Sequence, residues 1–380
     1  MDFRLSKEQM DIIKAAREFA LGEFVDRALE FDREEKFDLS IWKKACELGF
    51  IGVFIDEKYG GAGYGFFEHC LISEEFWAVE PGIGQSLTST TFGSELILMY
   101  GTEEQKQMIL PKLVSGEAII GTAITEPDAG SDTASASTLA KREGDMWVIN
   151  GSKMFITNGT LATWVVVYCM TDPENSSRHR RHSFIIVPTD TPGYEANKLT
   201  GKLGIRASDT AEIHLKDVRV PLKNLVGKQG NGFYQLMEFF NRTRLHVCAQ
   251  GVGVARAALE EAIRYAKGRV QFGSPLSSFQ VTQHKIAEMA TMIRAARNLY
   301  WEAAWKVDQG EIDHALIAMA KWFAGQTAVR CVDEALQIHG GYGYFDEYRI
   351  QRLYRDAKIV EIYEGTKEIE KNIIAKALLK

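Results

Sequence analysis

The sequence predicts an α+β chain in three parts: a helical domain over 1–116, a β domain over 117–226 and a helical bundle over 227–380. Two observations predict it. Apolar residues recur at helical spacing to about Gly116, shift to the strand period up to about Val226, and return to helical spacing from Gly232. With 380 residues, the chain is also long enough for two or three cores.

Composition narrows the class. The 46% hydrophobic and 25% charged residues are those of a soluble globular protein. A formal net charge of -6 argues against non-specific nucleic-acid binding. Cys46, Cys70, Cys169, Cys248 and Cys331 show no short pairing, which indicates neither a disulfide framework nor a zinc cluster and fits a reducing cytoplasm. The charged N-terminus lacks the apolar core of a signal peptide, and no apolar run approaches the roughly 20 residues of a membrane-spanning helix.

In the first part, Ser6 with Gln9 forms a capping box, and Ile12, Ile13, Ala16, Phe19 and Ala20 follow at helical spacing. The glycines of 60–65 lack the full dinucleotide-binding spacing and are expected to form a connector. A helical hairpin is expected over 66–78 and 85–99, then a helix capped by Thr102 and Gln105 reaching about Val114. The small polar run at 85–91 leaves room for a ligand tail, or is a partly exposed helix face.

In the second part, Asn150-Gly151 lies between two strand-like segments and signals a hairpin. Strands are also expected over 119–124, 163–170, 183–187 and 212–218, giving a small barrel or sandwich. The basic run Arg178, His179, Arg180, Arg181 and His182 reads as a solvated, mobile loop, or as an anion contact. In the third part, Ala249, Gly253 and Ala257 permit close helix approach. The stripe Ile286, Met289, Ala290, Ile293, Ala296, Tyr300, Ala303 and Val307 marks a bundle core.

Four stretches carry candidate chemistry. Glu364 stands between an apolar run ending in Tyr363 and the flexible Gly365, a setting that raises a carboxylate's pKa and suits a general base. The local pattern alone fits a solvated helix-end acid, like Glu368 and Glu370, at least as well. Around Pro127 and Gly130 an irregular loop sets the hydroxyls of Thr125 and Ser131 beside unpaired backbone N–H groups, or is an ordinary turn. Arg269 with Phe272, and Gln337 with Gly340 and Gly341, suit phosphate or ribose contacts, or are a surface arginine and a helix end.

Together these stretches resemble the acyl-CoA dehydrogenase family. Ala-Ile-Thr-Glu-Pro-Asp-Ala-Gly-Ser-Asp at 123–132, Phe-Ile-Thr-Asn-Gly at 155–159, Arg-Val-Gln-Phe-Gly at 269–273, Gln-Ile-His-Gly-Gly-Tyr-Gly at 337–343 and Tyr-Glu-Gly-Thr at 363–366 occur in the family's order. The resemblance spans essentially the whole chain. It implies a homotetrameric FAD enzyme of the acyl-CoA dehydrogenase fold, an N-terminal helical domain, a middle β-barrel or sandwich and a C-terminal four-helix bundle.

By the same resemblance, Thr122, Ile124, Thr125, Gly130 and Ser131, with Phe155, Ile156 and Thr157, would line the flavin end of FAD. Arg269, Phe272, Gln280, Gln337, Gly340 and Gly341 would reach its adenine-dinucleotide part across a subunit boundary, and Thr366 would touch the same cofactor. Ser131, Asn241, Thr243, Arg244, Tyr363 and Gly365 would contact the CoA thioester, with Arg244 toward the CoA end.

The implied reaction is α,β-dehydrogenation of a short or medium, branched or alicyclic acyl-CoA. Glu364 would take the α proton, the β hydride would pass to flavin N5, and electrons would go to an electron-transfer flavoprotein. The backbone N–H of the base residue and a flavin hydroxyl would form the oxyanion hole. Dicarboxylate-specific members of that family carry an arginine around 81–91; this segment has none, so the resemblance argues against dicarboxylate substrates. Trp77, Thr90, Thr91 and Phe92 are candidates to shape the acyl pocket. The competing readings are an acyl-CoA oxidase, a flavin monooxygenase, which would not need Glu364, and a silent binding protein of the same fold.

Overall fold

The computed structural model describes residues 4–379. The first part is helical: α1 (Lys7–Glu23), α2 (Ala28–Glu34), α3 (Leu39–Glu47), α4 (Phe66–Val79), α5 (Pro81–Thr88), α6 (Ser94–Tyr100) and α7 (Glu103–Val114). Capping boxes at Ser6/Gln9 and Thr102/Gln105 start α1 and α7, because each hydroxyl satisfies a first-turn N–H that has no intrahelical partner. The expected helix over 85–99 is broken. Hydroxyls of Ser86, Thr88 and Thr90 bond back to the carbonyls of Gly82, Gly84 and Leu87, the chain tightens into a 3-10 turn at Ser89–Thr91, and Gly93 turns it at φ 119° before α6.

The middle part is one eight-stranded sheet in the order β6-β7-β3-β2-β4-β5-β8, with β1 added beside β4. Its strands are β1 (Ile120–Ala123), β2 (Leu139–Glu143), β3 (Met146–Thr157), β4 (Trp164–Met170), β5 (His182–Pro188), β6 (Tyr194–Lys198), β7 (Thr210–Pro221) and β8 (Leu225–Val226). The halves meet at the single β2–β4 pair Leu139/Met170 and enclose a common core in which Val165, Val167, Ile185 and Val187 meet Ile149, Ile213 and Leu215. The other face of β4 and β5 packs Val166, Phe184 and Ile186 against helical residues including Ile109, Leu236 and Phe239.

The hairpin signal at Asn150-Gly151 is misplaced. β3 runs straight through it with a register shift, and the tight turn lies at Gly144-Asp145, where Glu143 pairs with Met146 and Gly144 takes φ 63°. Asn150 instead exchanges hydrogen bonds with Asp217 across the β3–β7 pair.

In the last part, α8 (Gly232–Gly268) precedes a small hairpin of β9 (Val270–Gln271) and β10 (Ser274–Pro275). Then come α9 (Gln280–Asp308), α10 (His314–His339), α11 (Ile350–Ala357) and α12 (Lys367–Leu378). The small residues of α8 serve as expected: a Cβ on Gly253 would lie 2.6 Å from the Glu74 carbonyl and 2.9 Å from the Trp77 side chain. The α9 stripe is core except Ala290, which is exposed, while Ile286 is half-buried. α8 also contacts α4 and the sheet, so it joins all three parts and is the rail on which the site is mounted.

Candidate active site

Glu364 follows a 3-10 turn at Lys358–Glu361 and precedes Thr366, whose side chain caps α12 by accepting from the Ile369 N–H. Its own φ is 55° and that of Gly365 is 105°, so two consecutive left-handed residues swing the carboxylate out of the helix path. Such strain in a non-glycine residue persists only where the surroundings enforce it. The Arg244 guanidinium donates to the Glu364 carbonyl at 3.1 Å, and the Lys321 ammonium donates to the Gly365 carbonyl. Between them lies Glu370, fully buried and 3.0 Å from Arg244, not the solvated acid the sequence suggested. Burial pushes its carboxyl up to about 7 and the Lys321 ammonium down to about 8. A Cβ on Gly365 would lie 2.3 Å from Glu370 Oε1, so glycine is needed for space as well as for φ.

The Glu364 carboxylate accepts a 2.5 Å hydrogen bond from the Thr243 hydroxyl on α8. Burial raises its pKa, while Thr243, Arg244 and Lys321 restrain the rise. It faces a cavity of about 670 Å³, in the range of small-molecule sites.

One wall of the cavity is β1, the loop after it and the end of β3: Thr122, Ile124, Thr125, Gly130, Ser131, Phe155, Ile156 and Thr157. The buried Lys153 holds this loop by donating at 2.9 Å to both the Ile124 carbonyl and Glu126 Oε1. Glu126 also accepts from the N–H groups of Ser137 and Thr138. The opposite wall is one face of α8, where Phe233, Met237, Phe240, Thr243, Val247 and Gln250 recur every three or four residues. This face is about 25 Å long, enough for an elongated ligand. Tyr363, Gly365 and Thr366 close the end beside Glu364.

The lining fits a flavin. The hydroxyls of Thr125, Ser131 and Thr157 make no protein hydrogen bond among the described residues and can meet a polar ring edge, while Phe155, at φ 62° and 68% exposed, offers an apolar face. Gln85 and Ser89 line the cavity from the 85–91 run, as a ligand-tail role requires, and Phe92 lines it just beyond. Trp77, Thr90 and Thr91 do not; Trp77 is wholly buried and the Thr90 hydroxyl is bonded to Leu87.

Other predicted residues lie elsewhere. Asn241 is buried on another face of α8, against His314 at 3.1 Å, and does not line the cavity. Arg244 lines it beside Glu364, but its guanidinium is held by Glu370 and the 364 carbonyl instead of facing outward as a CoA contact would. Arg269, Gly340 and Gly341 border a separate cleft of about 550 Å³, while Phe272 is 96% exposed and Gln280 and Gln337 are exposed. Added Cβ atoms on Gly340 and Gly341 would meet nothing within 4 Å, so bare backbone faces open space there.

The basic run is not a free loop. Arg178 binds Asp132 at 2.8 Å, His179 stacks on Phe233, Arg181 donates to the Asn175 carbonyl, and His182 is buried at the start of β5. Arg178 and His179 of that run line the cavity, and so do His246 and Gln250, which no sequence motif marks. Glu126 and Lys153 were missed as well; no local pattern marks a buried ion pair between residues 27 positions apart.

Comparison with known proteins agrees with this architecture. Family models match in order: the acyl-CoA dehydrogenase N-terminal domain at 6–117, the middle domain at 121–218 and the C-terminal domain at 230–379. A probable acyl-CoA dehydrogenase of Bacillus subtilis is 42% identical over the full length of both chains. Butyryl-CoA dehydrogenase from Megasphaera elsdenii superposes with a TM-score of 0.96 at 38% identity, covering 100% of both chains. A chain in the structure reported for the electron-transferring flavoprotein of Acidaminococcus fermentans, in work on flavin-based electron bifurcation, superposes at 0.97 with 39% identity, again covering 100% of both chains. The chain belongs to the acyl-CoA dehydrogenase family, whose cofactor is FAD.

Proposed function

We propose that this enzyme removes the α and β hydrogens of a short or medium acyl-CoA, with Glu364 as the base for the α proton. The observation that carries the reading is the Glu364 carboxylate itself: aimed into the cavity by strained backbone, raised in pKa by burial and oriented by Thr243. A base of that kind combines an accessible lone pair with a pKa closer to neutrality than an exposed carboxylate has. The acyl group lies along α8, with its thioester carbonyl near the 364–365 backbone, where N–H groups at this turn stabilise the charge that develops on oxygen. The bound FAD supplies the hydride acceptor. The cavity walls exclude water from the reacting carbons.

Both cavity arginines are paired with carboxylates, Arg178 with Asp132 and Arg244 with Glu370, which supports a substrate without a terminal carboxylate. Gln250 lies two helical turns beyond Thr243, about 10 Å along α8, and with Gln85 and Tyr363 forms a polar limit to the acyl space. The exposed cradle at Arg269, Phe272, Gln280, Gln337, Gly340 and Gly341 receives the adenine-dinucleotide part of an FAD bound mainly by another subunit of a homotetramer. Electrons leave to an electron-transfer flavoprotein. Domain boundaries near 116 and 226 fit the change from helices to sheet and back. All five cysteines are buried and unpaired, which supports work in a reducing cytoplasm.

The test is an anaerobic visible titration of the purified flavoprotein with straight, branched and cyclic acyl-CoAs. Bleaching by short or medium members is expected. A yellow protein bleached by none of them would overturn the proposal.

A further inference from the structure

We propose that His246 presents a hydrogen-bond donor to the acyl group, so that the enzyme prefers an acyl chain carrying an oxygen acceptor, hydroxyl or oxo, beyond its reacting carbons. This rests on the dehydrogenase reading above.

His246 lies three residues after Thr243 on α8 and lines the same cavity. Its Nδ1 is 2.7 Å from Nε2 of His69 on α4, so one proton is shared along that line. His69 is buried against the rings of Phe54 and Phe66, at 5.1 and 5.2 Å, and its Nδ1 has no partner. That vacancy decides the tautomer. If His246 donated, the His69 proton would sit on Nδ1 as a buried N–H with no acceptor, which is rarer and costlier than an unpaired acceptor. His69 therefore donates from Nε2, and His246 carries its proton on Nε2.

Burial keeps both rings neutral, pushing His69 down to about 4 and His246 well below its usual value. Nε2 of His246 has no protein partner among the described residues, and the half-buried ring opens on the cavity. A second donor stands nearby. Tyr363 donates to Gln250 Oε1, Gln250 donates to Gln85 Oε1 at 2.8 Å, and Gln85, which lines the cavity, has no protein acceptor for its amide nitrogen among the described residues. Two donors with no acceptor between them call for an acceptor on the ligand, and a hydrocarbon chain would leave both unpaired.

The test pairs hexanoyl-CoA with its 4-, 5- and 6-hydroxy and 5-oxo analogues. Anaerobic flavin reduction gives kcat/KM, and calorimetry on the Glu364→Gln holoenzyme gives binding without turnover. Wild type is expected to favour at least one oxygenated member about 10-fold or more, from one hydrogen bond. His246→Leu should bring that ratio near one in both assays, while His246→Asn, which retains an N–H, should keep part of it; flavin content checks folding of each variant. A wild-type ratio at or below one, or a ratio unchanged in His246→Leu, overturns the inference and leaves the dehydrogenase reading standing. Failure of every acyl-CoA to reduce the flavin overturns both.

Discussion

Thr243→Val tests how Glu364, the proposed base, is tuned. The substitution keeps the side-chain shape and removes the 2.5 Å donor to the Glu364 carboxylate. A hydrogen bond to a charged group contributes about 1.5–3 kcal/mol; because Arg244 and Lys321 also favour the ionised carboxylate, the lower end applies, equal to about one pKa unit. The bond favours the charged form, so its loss raises the Glu364 pKa further above its ordinary 4.5. In the role proposed for it Glu364 works deprotonated, so the rate of anaerobic flavin reduction rises with pH through this pKa. In Thr243→Val the rise should move up by about one unit, with a comparable plateau. An unmoved or lowered midpoint would refute the assignment of Thr243 as the residue that holds Glu364 ionised.

Three other substitutions probe the frame of the site. Gly365→Ala places a Cβ 2.3 Å from Glu370 at φ 105°, so reduction by acyl-CoA should fall at least about 10-fold, a misplacement effect, while the absorbance spectrum shows flavin still bound. Lys153→Met leaves Glu126 buried without its cation and should cost about 3 kcal/mol in denaturant unfolding, with weaker flavin retention. Glu126 itself is held down to about 2 by Lys153 and the hydrogen bonds from 137–138, against an ordinary 4.5. Its folded pKa is depressed, so its contribution to stability is present above about pH 4.5 and is lost as pH falls toward 2; an acid-unfolding curve of Glu126→Gln should be flatter across that window.

Much of this was legible from local rules. The capping boxes at Ser6 and Thr102 depend on residues three positions apart, and both formed. The motifs at 122–131, 155–157 and 363–366 meet in one cavity, which no periodicity could show; their order along the chain and its family resemblance carried that expectation. What failed depends on contacts distant in sequence. Asn150-Gly151 has ideal turn chemistry, yet Asn150 is held by Asp217 in the neighbouring strand. Asn241 and Thr243 are two residues apart on α8 and therefore face different ways, so a motif read as a unit places only one of them at Glu364. His246 reads as one more residue in a helix until α4 brings His69 to it.

The most direct test of Glu364 as the base is the purified Glu364→Gln protein, examined anaerobically with the acyl-CoA that bleaches the wild type. The variant should hold flavin with an unchanged yellow spectrum, bind the acyl-CoA, and reduce flavin slower by about 10²–10⁴-fold or more. Reduction at the wild-type rate would contradict the role assigned to Glu364 and require another group to take the α proton.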